Sequence, residues 1–295
     1  MRPLVSVCVL SMNHEKYVVQ CLESILLQDY PNLEIVYLDN NSADRTFETA
    51  KEYLEKQNKI PFKSFKREKN FLTSSNFNYL VSHAAADYIC FISADDWLKP
   101  ENVTRKMDRM LSDKDIAYVF SEAFFYFEDT GKIVPRKCNV RDLEGYIFND
   151  LIKFDFVTAP GSVIDVKKLK EIGGFRENMI IEDWSMLLEL SQKYKIAYID
   201  ECLVYYRQHS SNTSKDTDVR FLKSRLEVIK SYKWHPDYKE IHENIAQLIV
   251  YNAVGKEPFF SSLKLILKYF RFHRFYFKQL VKLFFVRPGR EPVRS

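Results

Sequence analysis

Short continuous apolar runs alternate with helically spaced apolar positions along the first hundred residues of the chain. Leu4 to Leu10 is a β-rich run, and Tyr17, Val18, Cys21, Leu22, Ile25 and Leu26 then recur at the spacing of one helical face. The pair repeats: Glu34 to Leu38 reads as a strand, and Phe47, Ala50 and Leu54 mark a helix that Asn41 or Ser42 is placed to cap. A third pair is less regular, with a strand at Phe62 to Phe65, a helix at Thr73 to Ala84, and the continuous apolar run Tyr88 to Ile92. Runs of that kind are what strands buried on both faces look like.

Strands alternating with helices predict an α/β fold with a mostly parallel sheet flanked by helices, an architecture in which ligands bind at the carboxyl ends of the strands. Three polar clusters fall at those ends: Ser11 to Asn13, Asp39 to Ser42 and Ser93 to Asp96. If the strands are adjacent and parallel, the clusters converge on one edge. After Pro100 the pattern is mixed and reads as α+β. It has a helix to about Leu111, strands at Ala117 to Phe120 and Phe124 to Phe127, a turn at Asp129-Thr130-Gly131, then Val157 to Ile164. From Asp216 helical spacing dominates, ending in an aromatic and basic segment from Phe259 to Val286.

Composition keeps the chain among ordinary globular proteins, at 46% hydrophobic and 28% charged over 295 residues, enough to bury a sizeable core. The net charge of +4 is too small to argue for nucleic acid, and the excess lies toward the C-terminus. Five widely spaced cysteines, Cys8, Cys21, Cys90, Cys138 and Cys202, fall mostly in apolar runs and point to reduced thiols in a cytosolic protein. Asn13 to Lys16 follow the first apolar run with no small-residue cleavage site, so a signal peptide is not expected. No stretch of about 18 uncharged apolar residues exists, because Lys and Arg interrupt every aromatic run near the C-terminus, and no membrane-crossing helix is expected either.

Against this frame a few residues carry chemistry. Asp95-Asp96 directly follows a buried strand, and two adjacent carboxylates there suit a hard cation such as Mg²⁺ or Mn²⁺ that bridges to phosphates. The competing reading is that Asp96 merely caps the helix entered through Pro100. Glu182-Asp183 opens the helix of Trp184, Leu187, Leu188 and Leu190, where acids also simply favour a helix N-terminus. His209 sits after Tyr205-Tyr206-Arg207 in what reads as a polar loop, the setting of a solvated histidine.

These segments in their order resemble the family 2 glycosyltransferases. The resemblance runs from Val5 to about Ser214 through Val5 to Asn13, Glu23 to Gln28, Glu34 to Asp44, Asp87 to Asp96, Gly173-Gly174-Phe175, Glu182-Asp183-Trp184 and Tyr206 to His209. It implies a GT-A fold and inverting transfer of a sugar from a nucleoside diphosphate sugar, a UDP-sugar foremost, to a hydroxyl of a glycan or lipid-linked glycan. In that reading Ser11, Asp39, Asn40 and Asp95 contact the nucleotide. Asp96, with Asp95 and His209, holds Mn²⁺ or Mg²⁺, and Asp183 is the general base. Ser93 stands where many relatives have a further Asp, Asn40 where Asp is commoner, and Leu10 and Met12 where polar or aromatic residues are common. Those departures keep open a scaffold that retains the fold without turnover. A nucleotidyltransferase is a weaker rival, because Val5 to Lys16 lacks the glycine of a phosphate loop.

The resemblance divides the chain into a catalytic domain over 1–214, with nucleotide-binding (1–100) and acceptor-binding (101–214) halves, and a helical region over 215–295. In the latter, Lys264, Lys268, Arg271, Arg274, Lys278 and Lys282 interleave with aromatic and aliphatic residues as a basic amphipathic helix. Such a surface lies on an anionic membrane or packs on the catalytic domain. Nucleic acid is not expected as a partner, since no nucleic-acid-binding motif accompanies the charge. The expected location is cytoplasmic, with attachment to the inner face of the plasma membrane as the variant that the basic helix allows.

Overall fold

A computed structural model describes residues 1–138, 143–177, 179–209, 219–254, 256–270 and 274–285. The chain forms two compact units, residues 1–211 and 212–295. The first begins with β1 (Val5–Ser11), α1 (Val18–Leu26), β2 (Leu33–Asp39), α2 (Thr46–Gln57), β3 (Phe62–Lys66), α3 (Thr73–His83) and β4 (Tyr88–Ser93). It continues through β5 (Trp97–Leu98), α4 (Asn102–Leu111), β6 (Ile116–Phe127), β7 (Lys132–Arg136), α5 (Phe148–Leu151), β8 (Val163–Asp165), α6 (Val166–Glu171), α7 (Glu182–Ser191) and β9 (Lys195–Gln208). The second unit holds α8 (Val219–Ile229), α9 (Tyr238–Ala253), α10 (Phe259–Tyr269) and α11 (Arg274–Phe285).

One sheet runs in the order β3-β2-β1-β4-β8-β6-β9-β5, with β7 paired to β6. β1 lies between β2 and β4, parallel to both, in registers that set Ser11 beside Asp39 and Leu10 beside Ser93. This adjacency brings the three polar strand ends together. β1 and β2 are buried on both faces, which explains their continuous apolar runs, and each fully buried Val, Leu or Ile there contributes about 1.5–3 kcal/mol. β8 enters antiparallel between β4 and β6, while β6 and β9 pair in parallel, so the sheet is mixed in its second half.

The second half differs from the periodicity reading in three places. The two strands expected at Ala117 to Phe120 and Phe124 to Phe127 are one strand, β6, because the intervening Ser121, Glu122 and Ala123 stay in the ladder through bulges against β9. The strand expected from Val157 begins only at Val163. The periodicity reading gives no strand between Lys195 and Gln208, where the 14-residue strand β9 runs. The cysteines are all free thiols, with Cys8, Cys21 and Cys90 buried.

Gly173 and Gly174 close α6. Gly174 N–H donates to Leu169 O and Gly173 N–H to Lys170 O, with φ of +88° at Gly173 and +78° at Gly174. This pairing satisfies the last helix carbonyls and needs a left-handed residue after the helix. The next residue is clamped: Asn78 donates through Nδ2 to Phe175 O at 2.8 Å, and its Oδ1 accepts from Phe175 N–H at 3.0 Å. A Cβ on Gly174 would stand 2.9 Å from Asn78 Oδ1. Gly174→Ala is therefore expected to lower stability by about 1–2 kcal/mol, from the left-handed backbone alone, plus whatever the Asn78 clamp loses. A shift in the denaturation midpoint at unchanged m-value checks it.

Candidate active site

The loops after β1, β2 and β4 are stitched to one another. Asn40 N–H donates to Ser11 O at 2.8 Å and Ala94 N–H to Leu10 O at 2.9 Å. Asn13 N–H donates to Ser42 Oγ, Ala43 N–H to Asn13 Oδ1 and His14 N–H to Thr46 Oγ1, each at 2.8 Å. Asn13 and Asn41 adopt φ of 59° and 60°, a left-handed conformation that Asn tolerates better than most residues.

Within this knot Asp39 is fully buried and shapes the loop. Its Oδ1 accepts from Ser42 N–H at 2.8 Å, and its Oδ2 accepts from the Ser42 and Ser11 hydroxyls, the latter at 3.2 Å. That uses three of the roughly four lone-pair sites of a carboxylate. Ser11, also buried, shares a 2.6 Å hydrogen bond with the Tyr37 hydroxyl. The Asn40 amide pairs with the backbone of Phe71, donating to its carbonyl and accepting from its N–H, both at 2.9 Å. Three of the four predicted nucleotide contacts, Ser11, Asp39 and Asn40, thus meet at one strand edge, and each also holds the edge together.

Asp95 and Asp96 follow β4 and are both buried. Asp95 Oδ2 lies 3.0 Å from His209 Nε2 and 3.8 Å from His14 Nε2. Asp96 Oδ1 accepts from Arg207 N–H at 2.9 Å. The other two oxygens, Asp95 Oδ1 and Asp96 Oδ2, are buried without a hydrogen-bond partner among the described residues. Their electrostatics diverge. Burial would push Asp95 up, but His14 alongside and hydrogen bonds from Ser93 and His209 outweigh it and hold the carboxyl below the usual carboxylate range. Asp96 is pushed well above that range by burial and then by the charge of Asp95, against a weaker pull from Arg207.

Two orphaned carboxylate oxygens, one on a group whose charge is uncompensated, fit a divalent cation. Among the described residues no group of three or more His, Cys, Asp or Glu forms a ready-made metal cage. An ion held by one or two carboxylates would need phosphate oxygens and water to complete its shell. His209 stands beside Asp95 and is not a solvated loop histidine. It directly follows β9, its side chain is only 4% exposed, and its Nε2 is engaged by Asp95.

Arg207, which the sequence did not single out, is the brace of this site. Its Nε donates to Asp95 O at 2.8 Å and its Nη2 to Gln20 Oε1 at 2.5 Å. The guanidinium carbon lies 4.6, 4.8 and 5.1 Å from the ring centroids of Tyr17, Trp97 and Tyr126. A buried guanidinium enclosed by aromatic faces gains about 1–2 kcal/mol per good contact and loses its freedom to move. The chain delivers it there because β5 pairs antiparallel with β9 at Trp97 and Tyr205, so the Asp95-Asp96 loop runs beside the end of β9. His14 was also missed; its ring stands 6.4 Å from that of His209, edge to face, and its Nδ1 is buried without a partner.

Asp183 lies in the first turn of α7, and among the described residues no hydrogen bond or ion pair ties it to Asp95 or Asp96. Its Oδ1 accepts from Trp184 N–H at 2.7 Å, and Trp184 Nε1 donates to Leu151 O, which fixes the turn. Glu182 and Asp183 remain partly exposed but are closely surrounded by protein. Burial raises both carboxyls, Glu182 well above its usual range with the Asp183 charge adding to burial, and Asp183 against the Trp184 N–H.

The chain is similar to known proteins along most of its length. A family profile described as Glycosyl transferase family 2 matches residues 6–173, more than half of the chain. The glycosyltransferase GlyG of Streptococcus pneumoniae is 30% identical over 243 residues, covering 77% of this chain and 79% of its own. Two solved structures share the fold at 16% identity each. The mannosyltransferase PcManGT of Pyrobaculum calidifontis, in complex with GDP-Man and Mn²⁺, has a TM-score of 0.64 over 96% of this chain and 86% of its own. Residues 1–349 of TarS from S. aureus, in complex with UDP-GlcNAc, give 0.59 over 95% of this chain and 89% of theirs.

Proposed function

Because this chain belongs to glycosyltransferase family 2 and has the GT-A fold, we propose that it transfers a sugar from a UDP-sugar to a hydroxyl of a glycan or lipid-linked glycan, with inversion at the anomeric carbon. The observation that carries the reading is the pair of buried, unpartnered oxygens, Asp95 Oδ1 and Asp96 Oδ2, at the edge where the ends of β1, β2 and β4 meet. Asp95 and Asp96 would hold Mn²⁺ or Mg²⁺. When bound, such an ion supplies charge neutralisation for the departing diphosphate.

The chain's own residues do the rest. Asp39, Asn40 and Ser11 shape the pocket for the nucleoside, the buried Asp39 by holding the Ser11 and Ser42 side chains in place. Arg207 fixes the Asp95-Asp96 loop so that its charges do not reorganise during the reaction. His209 and His14 stand against Asp95 and keep it ionised. Asp183 takes the proton of the acceptor hydroxyl as its oxygen attacks the face opposite the leaving group, so no covalent sugar–enzyme intermediate forms. Its raised pKa suits that task, since a stronger base takes the proton more readily.

A panel of nucleotide sugars with Mn²⁺ or Mg²⁺ tests donor, ion and turnover together. A UDP-sugar at about 100 times its Kd is expected to raise the melting temperature by roughly 5–10 °C. It should also release UDP in a reaction that chelation stops. Response to GDP-sugars alone would reassign the base, and release that survives chelation would remove the ion from the mechanism. Binding without release by any donor would favour a scaffold that keeps the fold without turnover.

A further inference from the structure

The second unit ends in two helices that expose the same combination of side chains. On α10 the residues Phe260, Lys264, Leu267 and Lys268 are exposed, spaced so that they share one side of the helix, while Ser262, Leu265, Ile266 and Tyr269 are buried opposite. On α11 the exposed side carries Phe277, Lys278, Val281 and Lys282, and Tyr276, Gln279 and Leu283 are buried. The exposure is large: 81% for Phe260, 63% for Leu267 and 58% for Val281. Lys282 lies over the ring of Tyr251 on α9, 5.0 Å from its centroid, and Tyr251 is itself exposed. Single exposed apolar residues are ordinary, but here the outward positions of both helices are filled by large apolar residues and lysines together.

From Pro258 to Phe285 the sequence has no Asp or Glu and six Lys or Arg. We propose that this face of α10 and α11 docks on an anionic phospholipid membrane, with the phenylalanines and aliphatic residues entering the acyl boundary and the lysines at headgroup level. A lysine reaches outward on an apolar stem, so alternation with Phe and Leu is an advantage at an interface between lipid and water. The absence of acids favours anionic lipid over a neutral surface, and each nearby Lys or Arg strengthens the attraction. No helix among the described residues is long and apolar enough to cross a membrane, so the contact is made in the plane of the interface. The proposal does not depend on the glycosyl-transfer reading.

Co-sedimentation of the full chain with vesicles tests it. Phosphatidylcholine vesicles containing a third of phosphatidylglycerol should bind the protein, and pure phosphatidylcholine should bind it about tenfold more weakly or not at all. Raising the salt concentration should release it. The variants Lys278→Glu/Lys282→Glu and Phe277→Ser/Val281→Ser change only exposed side chains, so the fold should persist, as circular dichroism checks. Each pair should weaken binding about tenfold or more while nucleotide-sugar hydrolysis in solution is unchanged. Equal binding to both vesicle types, or binding that survives both pairs of substitutions, overturns the proposal. So does a dimer dispersed by the same substitutions in a protein that ignores vesicles, because the face would then serve a second copy of the chain.

Discussion

Asp183→Asn is expected to lower kcat by about 10²–10⁴-fold, the usual contribution of a positioned general base, with little change in donor affinity. Asn keeps an acceptor for Trp184 N–H, so the first turn of α7 should survive and the loss should be chemical. The pH dependence separates this role from a structural one. A general base works only when deprotonated, so wild-type turnover should rise with pH through the Asp183 titration. Burial raises that titration above the ordinary carboxylate range, so the rise should come at higher pH than for an exposed Asp. In the variant that limb should vanish and leave a low, flatter profile. The rival role, an acid that merely favours a helix N-terminus, is worth about 0.3–1 kcal/mol and would show as a small stability loss with near-normal turnover. That outcome would move the base elsewhere.

The α/β half was legible because its strands are buried on both faces and its helices on one, which produces continuous and 3.6-spaced apolar patterns respectively. The strand edge that gathers Ser11, Asp39 and Asp95 followed from those patterns once β1 was set between β2 and β4. β9 was less legible: its 14 residues include Asp200, Glu201 and half-buried positions, so no single period dominates. β5 is two residues long and carries no periodic signal at all. Missing that pair hid Arg207, since only the pairing of β5 with β9 brings it to Asp95. In the sequence its partners Tyr17, Gln20, Trp97 and Tyr126 are scattered, and an Arg among tyrosines reads as surface. Asp39 and Asn40 lie at the end of β2 as the patterns predict, but their use in tying loops together depends on partners such as Phe71 that no spacing reveals.

Asp96→Asn should separate two properties that pull in opposite directions at this site. The wild-type side chain is buried, one of its oxygens has no protein partner, and its pKa is pushed up by burial and by Asp95. Without an ion, such a group destabilises the fold, because a buried charge or polar atom left unpaired costs about 1–3 kcal/mol. Asn removes the charge and keeps an oxygen to accept from Arg207 N–H, so the loop geometry should hold. In chelator the variant is therefore expected to melt higher than wild type by a few degrees. Donor binding should respond the other way. One of the two hard oxygens offered to the ion becomes a weaker neutral ligand, and ion-dependent affinity for the nucleotide sugar should fall about 100-fold or more, with turnover falling alongside it. Adding Mn²⁺ and donor should then stabilise wild type far more than the variant and reverse the order of melting temperatures. Melting curves of both proteins, with chelator and with Mn²⁺ plus UDP-sugar, test this crossing independently of activity. A variant less stable than wild type in chelator would mean that Asp96 serves the fold as a paired carboxylate. An unchanged response to ion and donor would place the ion elsewhere. The expected crossing follows from a destabilising charge retained where an ion and a diphosphate would compensate it.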